Sequence, residues 1–314
     1  MASPGRNGYG TVLVVGASGF LGLEIVRAFA QHGWEVRGLI RDPAKRGRVR
    51  SAGATPIVGD ILEPSSLLAA ASGADTIVHV AANPPADRGG TDRSREVRVD
   101  GVRHLVAAAR SGAVRRLLVG SGYWVYADQP GLITEESRVD PRGESRVNYD
   151  TEREALAANR PGELDVLIVR PGMVYGDGAW FRPVVTAIER DAYHVIDEGK
   201  NLWSFVSLPD TGTGFFTVAT AGRPGEVYNL VDGHPAAWGE FATFVAQRLG
   251  HRAPATIAFG NAAREYGPEI AHHLAANRAT SSAKLQALGW QPKFPEFRSG
   301  VSEVLGRRSR ASPG

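Results

Sequence analysis

Through its first 170 residues the chain alternates short apolar, β-branched runs with longer stretches of helical period. The run at 11–15 (TVLVV) precedes a predicted helix over 20–32. The run at 35–39 leads to a helix starting near Pro43, 56–58 to one starting near Pro64, and 75–80 to a long helix over 94–111. A strand at 115–119, a helix around 149–159 and a strand at 165–169 complete the series. Strands this apolar are buried on both faces, which requires helices on each side of a parallel sheet. The alternation therefore predicts an α/β fold with a doubly wound parallel sheet over about 10–171.

Beyond 171 the pattern loosens. Strands are predicted at 205–208 and 227–230, and 238–249 (WGEFATFVAQRL) is an amphipathic helix; Pro and Gly punctuate the rest. Residues 172–306 are expected to form a smaller C-terminal α/β region with some segments returning to the main sheet. This region should cover the carboxyl ends of the strands, where open α/β sheets bind ligands. The polar, Gly- and Pro-rich ends, 1–9 and 307–314, read as disordered tails.

Composition narrows the function classes. Of 314 residues, 43% are hydrophobic and 22% charged, a globular balance. No apolar run reaches the roughly 20 residues of a membrane span, and no signal-peptide pattern opens the chain. Cysteine is absent, which removes disulfides, thiolate metal sites and cysteine nucleophiles and fits a reducing cytoplasm. The net charge is +3, and lysine occurs only at 45, 200, 284 and 293. The arginines are scattered without a basic stripe, so no nucleic-acid partner is expected. His79, His104 and His194 lack metal-ligand spacing, and His272 and His273 are adjacent on a predicted helix and face apart; no metal is expected.

Chemistry begins after the first strand. Gly16, Gly19 and Gly22, in GASGFLG, suit a tight turn, a close backbone approach to a pyrophosphate, and helix packing on the strand. At the end of the second strand, where an NAD site needs a carboxylate for the ribose, stands Ile40, followed by Arg41. An arginine there pairs with a 2′-phosphate, while Asp42 before Pro43 reads as a helix cap; Lys45 and Arg46 add positive charge. NADP is therefore preferred over NAD. Asp60 and Ile61 are candidates for the adenine, and Ala81, Ala82 and Asn83 form a small-residue loop at the end of the fourth strand.

These motifs, with HVAA (79–82), VDGVRHLVAAA (99–109), VYAD (125–128), Tyr149, RPGMVYG (170–176), VYNLVDG (227–233) and LGWQP (288–292), resemble the extended short-chain dehydrogenase/reductase family over about 11–305. That family holds NAD(P)-dependent epimerases, dehydratases and reductases. The resemblance implies cofactor contacts from Gly16, Ser18, Gly19, Phe20, Leu21, Gly22, Ala81, Ala82, Tyr149, Arg153, Pro171, Met173 and Val174. It implies a tyrosine acid/base, Tyr149, assisted by a lysine four residues on and by a Ser or Thr three residues before the Val-Tyr pair. Here Arg153 stands at the lysine position and Gly122 at the hydroxyl position. Ser121 and Tyr123 are the neighbouring hydroxyls, and Arg98 stands where relatives often carry Asn. The family also implies a homodimer through the two helices around these positions.

Met173 replaces the Asn that commonly anchors nucleotide-sugars in relatives. Tyr175, Trp180, Phe181 and Trp203, with Tyr123, Trp124, Met173 and Asn83, are expected to line a pocket for a small hydrophobic or aromatic substrate, polyketide- or terpenoid-like; Phe205 reads as core. The leading expectation is an NADP(H)-dependent oxidoreductase acting on a carbonyl or alcohol. A non-redox dehydratase, epimerase or cyclase, and a non-catalytic redox-sensing protein, remain alternatives.

Overall fold

A computed structural model describes residues 10–82 and 90–311. Six parallel strands, β1 (Thr11–Val15), β2 (Glu35–Ile40), β3 (Thr55–Val58), β4 (Thr76–His79), β5 (Arg116–Gly120) and β6 (Asp165–Pro171), run in the order 3-2-1-4-5-6. A seventh strand, Val227–Leu230, pairs in parallel with β6 and closes that edge. Residues of β1 alternate between two cores as a pleated strand must. Val12 and Val14 join Ile25, Phe29, Phe215 and Val218 on one face, and Leu13 and Val15 join Leu67, Leu105, Leu117 and Ala155 on the other. The doubly wound parallel sheet expected from the sequence is therefore present, and the chain order reverses between β1 and β4.

Two helices packed on the main sheet differ from expectation. The helix 144–157 starts five residues before Tyr149, because its first turn is polar and its buried face includes Ser145, Thr151 and Glu152 beside Val147 and Ala155. The helix Leu208–Ala221 carries Gly212, Gly214 and four threonines, which hide its period in the sequence. Ser207 caps it by accepting from the Asp210 N–H, and Pro209 stands in its first turn, so the strand expected at 205–208 ends at Ser207. It packs against α1 (Phe20–Gln31), and a Cβ on Gly212 would lie 2.5 Å from the Glu24 carbonyl oxygen.

The smaller lobe is held by an aromatic core of Tyr175, Phe181, Trp203, Phe205, Trp238, Phe241 and Phe297. Helix Trp238–Leu249 follows its predicted bounds and ends on Gly250 at φ +77°. The C-terminal helix, Phe297–Ala311, corrects the tail expected from 307: it continues to 311, with Arg307 paired to Glu303 one turn back and Arg308 3.9 Å from Glu189. Residues 1–9 lie outside the described residues. No helix among the described residues is long and apolar enough to cross a membrane.

Candidate functional site

The reversal of strand order opens a crevice at the carboxyl ends of β1 and β4, the position where such sheets bind ligands. Gly16 leaves β1 at φ +92°, and a Cβ there would lie 2.7 Å from the Ala81 nitrogen. The Gly19 N–H donates to the Gly16 carbonyl at 2.9 Å. A Cβ on Gly22 would run into that same carbonyl, so only glycine lets α1 start this close to the strand. No side chain caps the first turn of α1, which leaves its N–H groups directed at the crevice beside half-buried Ser18, Phe20 and Leu21. The donor set and the side-chain-free cradle fit a dinucleotide pyrophosphate.

At the far end of β2, Ile40 is buried and Arg41 exposed. The Asp42 carboxylate accepts from the Ala44 N–H at 2.9 Å, so it is occupied as a cap. Asp60 accepts from the Leu62 N–H at 3.0 Å, and Ile61 is buried against Gly101. Ala81 flanks the glycine turn and exposed Ala82 follows it; Asn83 lies outside the described residues.

Deeper in the crevice, three polar side chains have buried atoms without a hydrogen-bond partner among the described residues: His79 Nδ1 at the end of β4, Ser121 Oγ just after β5, and Arg98 Nε. Burial, and then the charge of Arg98, push the His79 imidazole down to about 3, so the ring is neutral. Burial also lowers Arg98, against the pull of Glu144. Glu144 itself accepts from Ser94 Oγ at 2.7 Å. In the sequence His79 figures in the HVAA motif and as a histidine without metal-ligand spacing, and Glu144 carries no signal of its own.

The wall formed by β5, β6 and the 144–157 helix departs from the expected triad. A Cβ on Gly122 would sit 3.7 Å from Asn148 Nδ2, 3.6 Å from Trp124 and 3.9 Å from the Pro171 carbonyl. The residue facing Gly122 across this wall is therefore Asn148. One turn on, the same helix face carries Glu152, which grips Arg170 with two hydrogen bonds of 2.9 and 2.5 Å, both side chains buried. Arg170 also lies 4.8 Å over the Tyr126 ring. Tyr149 is half-buried and packs on the cluster of Tyr123, Val125, Tyr126 and Ile133, with Trp124, Val139 and Met173. Arg153 is exposed and lines an outer groove of about 390 Å³ with Arg95, Arg103, Arg146, Asp150 and Glu154. Tyr149 and Arg153 thus stand in different surroundings despite their i, i+4 spacing.

The expected aromatic lining divides in two. Trp124 and Met173 face the wall just described, and Val174 is buried in β-pairing with Val206. Tyr175, Phe181 and Trp203 are, like Phe205, fully buried in the lobe's own core, where they act as packing rather than lining. Trp180 is half-buried and donates from Nε1 to the Val174 carbonyl at 2.6 Å. Trp203 stands edge-on to Trp124 at 5.1 Å and so backs the wall. The Tyr123 hydroxyl is buried without a partner among the described residues, and burial raises its pKa. No cluster of metal-ligating side chains occurs among the described residues.

The profile of the NAD dependent epimerase/dehydratase family matches residues 12–230. A 4-hydroxy-2-methyl-3-oxo-4-farnesyl-3,4-dihydroquinoline-1-oxide ketoreductase of Stigmatella aurantiaca is 31% identical over 247 residues, 76% of this chain and 73% of that protein. A 3-diazoavenalumate denitrifying reductase of a Streptomyces species is 29% identical over 92% of this chain and 98% of its own. Among solved structures, the dTDP-glucose 4,6-dehydratase DesIV of Streptomyces venezuelae, with NAD bound, superposes with a TM-score of 0.80 at 25% identity, covering 96% of this chain and 98% of that one. The human epimerase family protein SDR39U1 with NADPH shares the fold at 21% identity, a TM-score of 0.79 and coverage of 94% and 99%. The chain belongs to the NAD dependent epimerase/dehydratase family and is a nicotinamide-dependent enzyme of the extended short-chain dehydrogenase/reductase type.

Proposed function

We propose that the protein is an NADP(H)-dependent reductase of a small, hydrophobic or aromatic acceptor. The observation that carries this reading is the wall around Gly122, where Trp124, Met173 and Tyr149 offer an apolar, aromatic surface. Both relatives described above bear the name of a reductase, one of a farnesylated quinoline oxide and one of diazoavenalumate. Preference for the phosphorylated cofactor rests on Arg41 beside a buried Ile40, with the nearby Asp42 engaged as a cap.

A bound nicotinamide supplies the hydride. The chain's own residues do the rest. The glycine turn and the first N–H groups of α1 hold the pyrophosphate, and Ala81 and Ala82 leave room for the ribose beside it. Asn148 offers an amide donor toward the Gly122 wall, and His79 stands neutral at the end of β4 beside the charge of Arg98. Tyr149 donates the proton that the reduced substrate oxygen requires, while Trp124 and Met173 orient the substrate's flat body and exclude water. Ser121 and Tyr123 are the further hydroxyls of this region. Arg153, on the outer groove, supports the helix through its charged neighbours.

The test is NADPH oxidation against a panel of aromatic ketones and quinone-like acceptors. Tyr149→Phe is expected to lower turnover by about 10²- to 10⁴-fold with NADPH affinity unchanged. Indifference to the substitution removes Tyr149 from the chemistry. One observation favours a second reading, a non-redox dehydratase or epimerase: Gly122 and Asn148 give this wall neither a hydroxyl nor a cation. Product formation without net loss of NADPH absorbance would select it.

A further inference from the structure

Behind the aromatic wall lies a second group that the mechanism above does not use. Arg278 is 3% exposed, yet its Nε and Nη1 have no hydrogen-bond partner among the described residues. Its guanidinium lies 5.2 Å over the Trp124 ring. Trp124 in turn packs edge-on against Tyr123 at 4.7 Å, and the Tyr123 hydroxyl is the other unpartnered donor here. The His273 ring stacks on Trp124 at 4.4 Å and is held neutral, pushed down to about 4 by burial and then by the charge of Arg278. The acid that acts on Arg278 is Asp128, but it is exposed, and its Oδ1 is taken by the Asn277 N–H at 3.0 Å.

A guanidinium keeps its proton under all ordinary conditions. Buried without a hydrogen-bonded anion, it is strongly unfavourable unless a ligand provides the partner. The contrast with Arg170 is instructive, since that buried arginine has Glu152 in a two-bond grip. The main chain of Arg278 is fully used, donating to the Leu202 carbonyl at 2.6 Å and accepting from Thr280 Oγ1 at 3.0 Å, so the residue is fixed in place with its charged head toward Trp124.

We infer that Arg278 and the Tyr123 hydroxyl form an anion subsite beside Trp124, and that the substrate is an aromatic or conjugated molecule carrying a carboxylate. Its carboxylate takes the unpaired donors beside Trp124, whose ring His273 and Arg278 already cover, and this turns the reacting end toward Gly122. The inference deepens the reductase reading and rests on it. A carboxylate fits better than a phosphate, because the donors number three and carry a single positive charge, His273 being neutral.

Calorimetric titration of the NADP⁺-loaded protein with 4-hydroxycinnamate, with 4-hydroxycinnamamide and with phenyl phosphate tests this. The acid is expected to bind about 10- to 100-fold tighter than its amide, as loss of a charge-assisted hydrogen bond implies, and tighter than the phosphate. Arg278→Gln should bring acid and amide to equal affinity. Equal binding of acid and amide by the unaltered protein, binding of neither, preference for the phosphate, or discrimination that survives in Arg278→Gln overturns the subsite. Should Arg278→Gln fail to fold, the acid-to-amide ratio of the unaltered protein decides alone. NADP⁺ uptake is measured first in the same cell, so failure of the cofactor reading is separately visible.

Discussion

At the scale of single residues, two buried carboxyl groups behave in opposite ways. Glu152 has Arg170 as a full partner, and Arg170 is held charged because the carboxylate outweighs the burial that acts against it. Removing one member of a buried ion pair leaves the other unpaired, which costs about 3–5 kcal/mol. Glu152→Ala is therefore expected to lose that much unfolding free energy, read as a lower urea midpoint at unchanged slope, and an unchanged midpoint would contradict the pairing. Asp232 is pushed up to about 8, chiefly by burial and further by Glu296 and Asp210, with the His234 N–H working the other way; its Oδ2 has no partner among the described residues. Its folded form keeps a proton that the unfolded chain releases above 3.8. The contribution of this group to stability is thus fully present below 3.8 and falls as pH rises toward 8. Asp232→Asn removes that loss and keeps the acceptor for His234. The gain in Tm should be larger at pH 8 than at pH 5, and an equal gain at both would show that Asp232 titrates normally. How far single residues are legible in the sequence has a physical cause. Glycines at forced backbone positions announce themselves in GASGFLG, but whether a tyrosine or arginine faces a crevice depends on helix phase. The polar buried face of the 144–157 helix obscured that phase, so spacing drew attention to Tyr149 and Arg153 while Asn148 is the residue that faces Gly122.

At the scale of elements, all seven strands of the main sheet and most of the helices packed on it were legible, because the inner strands are almost wholly apolar and surface helices are amphipathic. Helix Leu208–Ala221 was not, since its close approach to α1 is made by backbone at Gly212 and its threonines interrupt the apolar positions, with Phe216 adding a ring against Phe29 and His32. Small residues at a close helix crossing carry little hydrophobic signal. The consequence is measurable. Gly212→Ala inserts a methyl against the Glu24 carbonyl and is expected to destabilise the protein by about 1–3 kcal/mol. Substitution of Gly250, whose added Cβ meets nothing within 4 Å, is by contrast strained only through its φ of +77°. Thermal unfolding of Gly212→Ala indistinguishable from the parent would mean that the two helices do not approach as described. The aromatic residues after 171 illustrate the same limit from the other side. Tyr175, Phe181 and Trp203 have the composition of a ligand pocket, but a small lobe needs a core of its own, and these residues supply it.

At the scale of the whole molecule, a parallel sheet delivers the glycine turn, the small-residue loop after β4 and the aromatic wall after β5 to one edge, and the smaller lobe covers that edge with Trp124, Met173 and Arg278 nearby. Fold and cofactor class follow from this layout together with the family match; substrate chemistry rests on the few side chains at the wall. On the function proposed above, this edge grips a phosphorylated dinucleotide. Isothermal titration of the purified protein with NADPH and with NADH tests it most directly. One NADPH per chain is expected, bound about tenfold or more tighter than NADH, with the difference abolished in Arg41→Gln because the 2′-phosphate loses its charge-assisted partner. Absence of heat with both nucleotides, or equal affinity for the two in the unaltered protein, would contradict it.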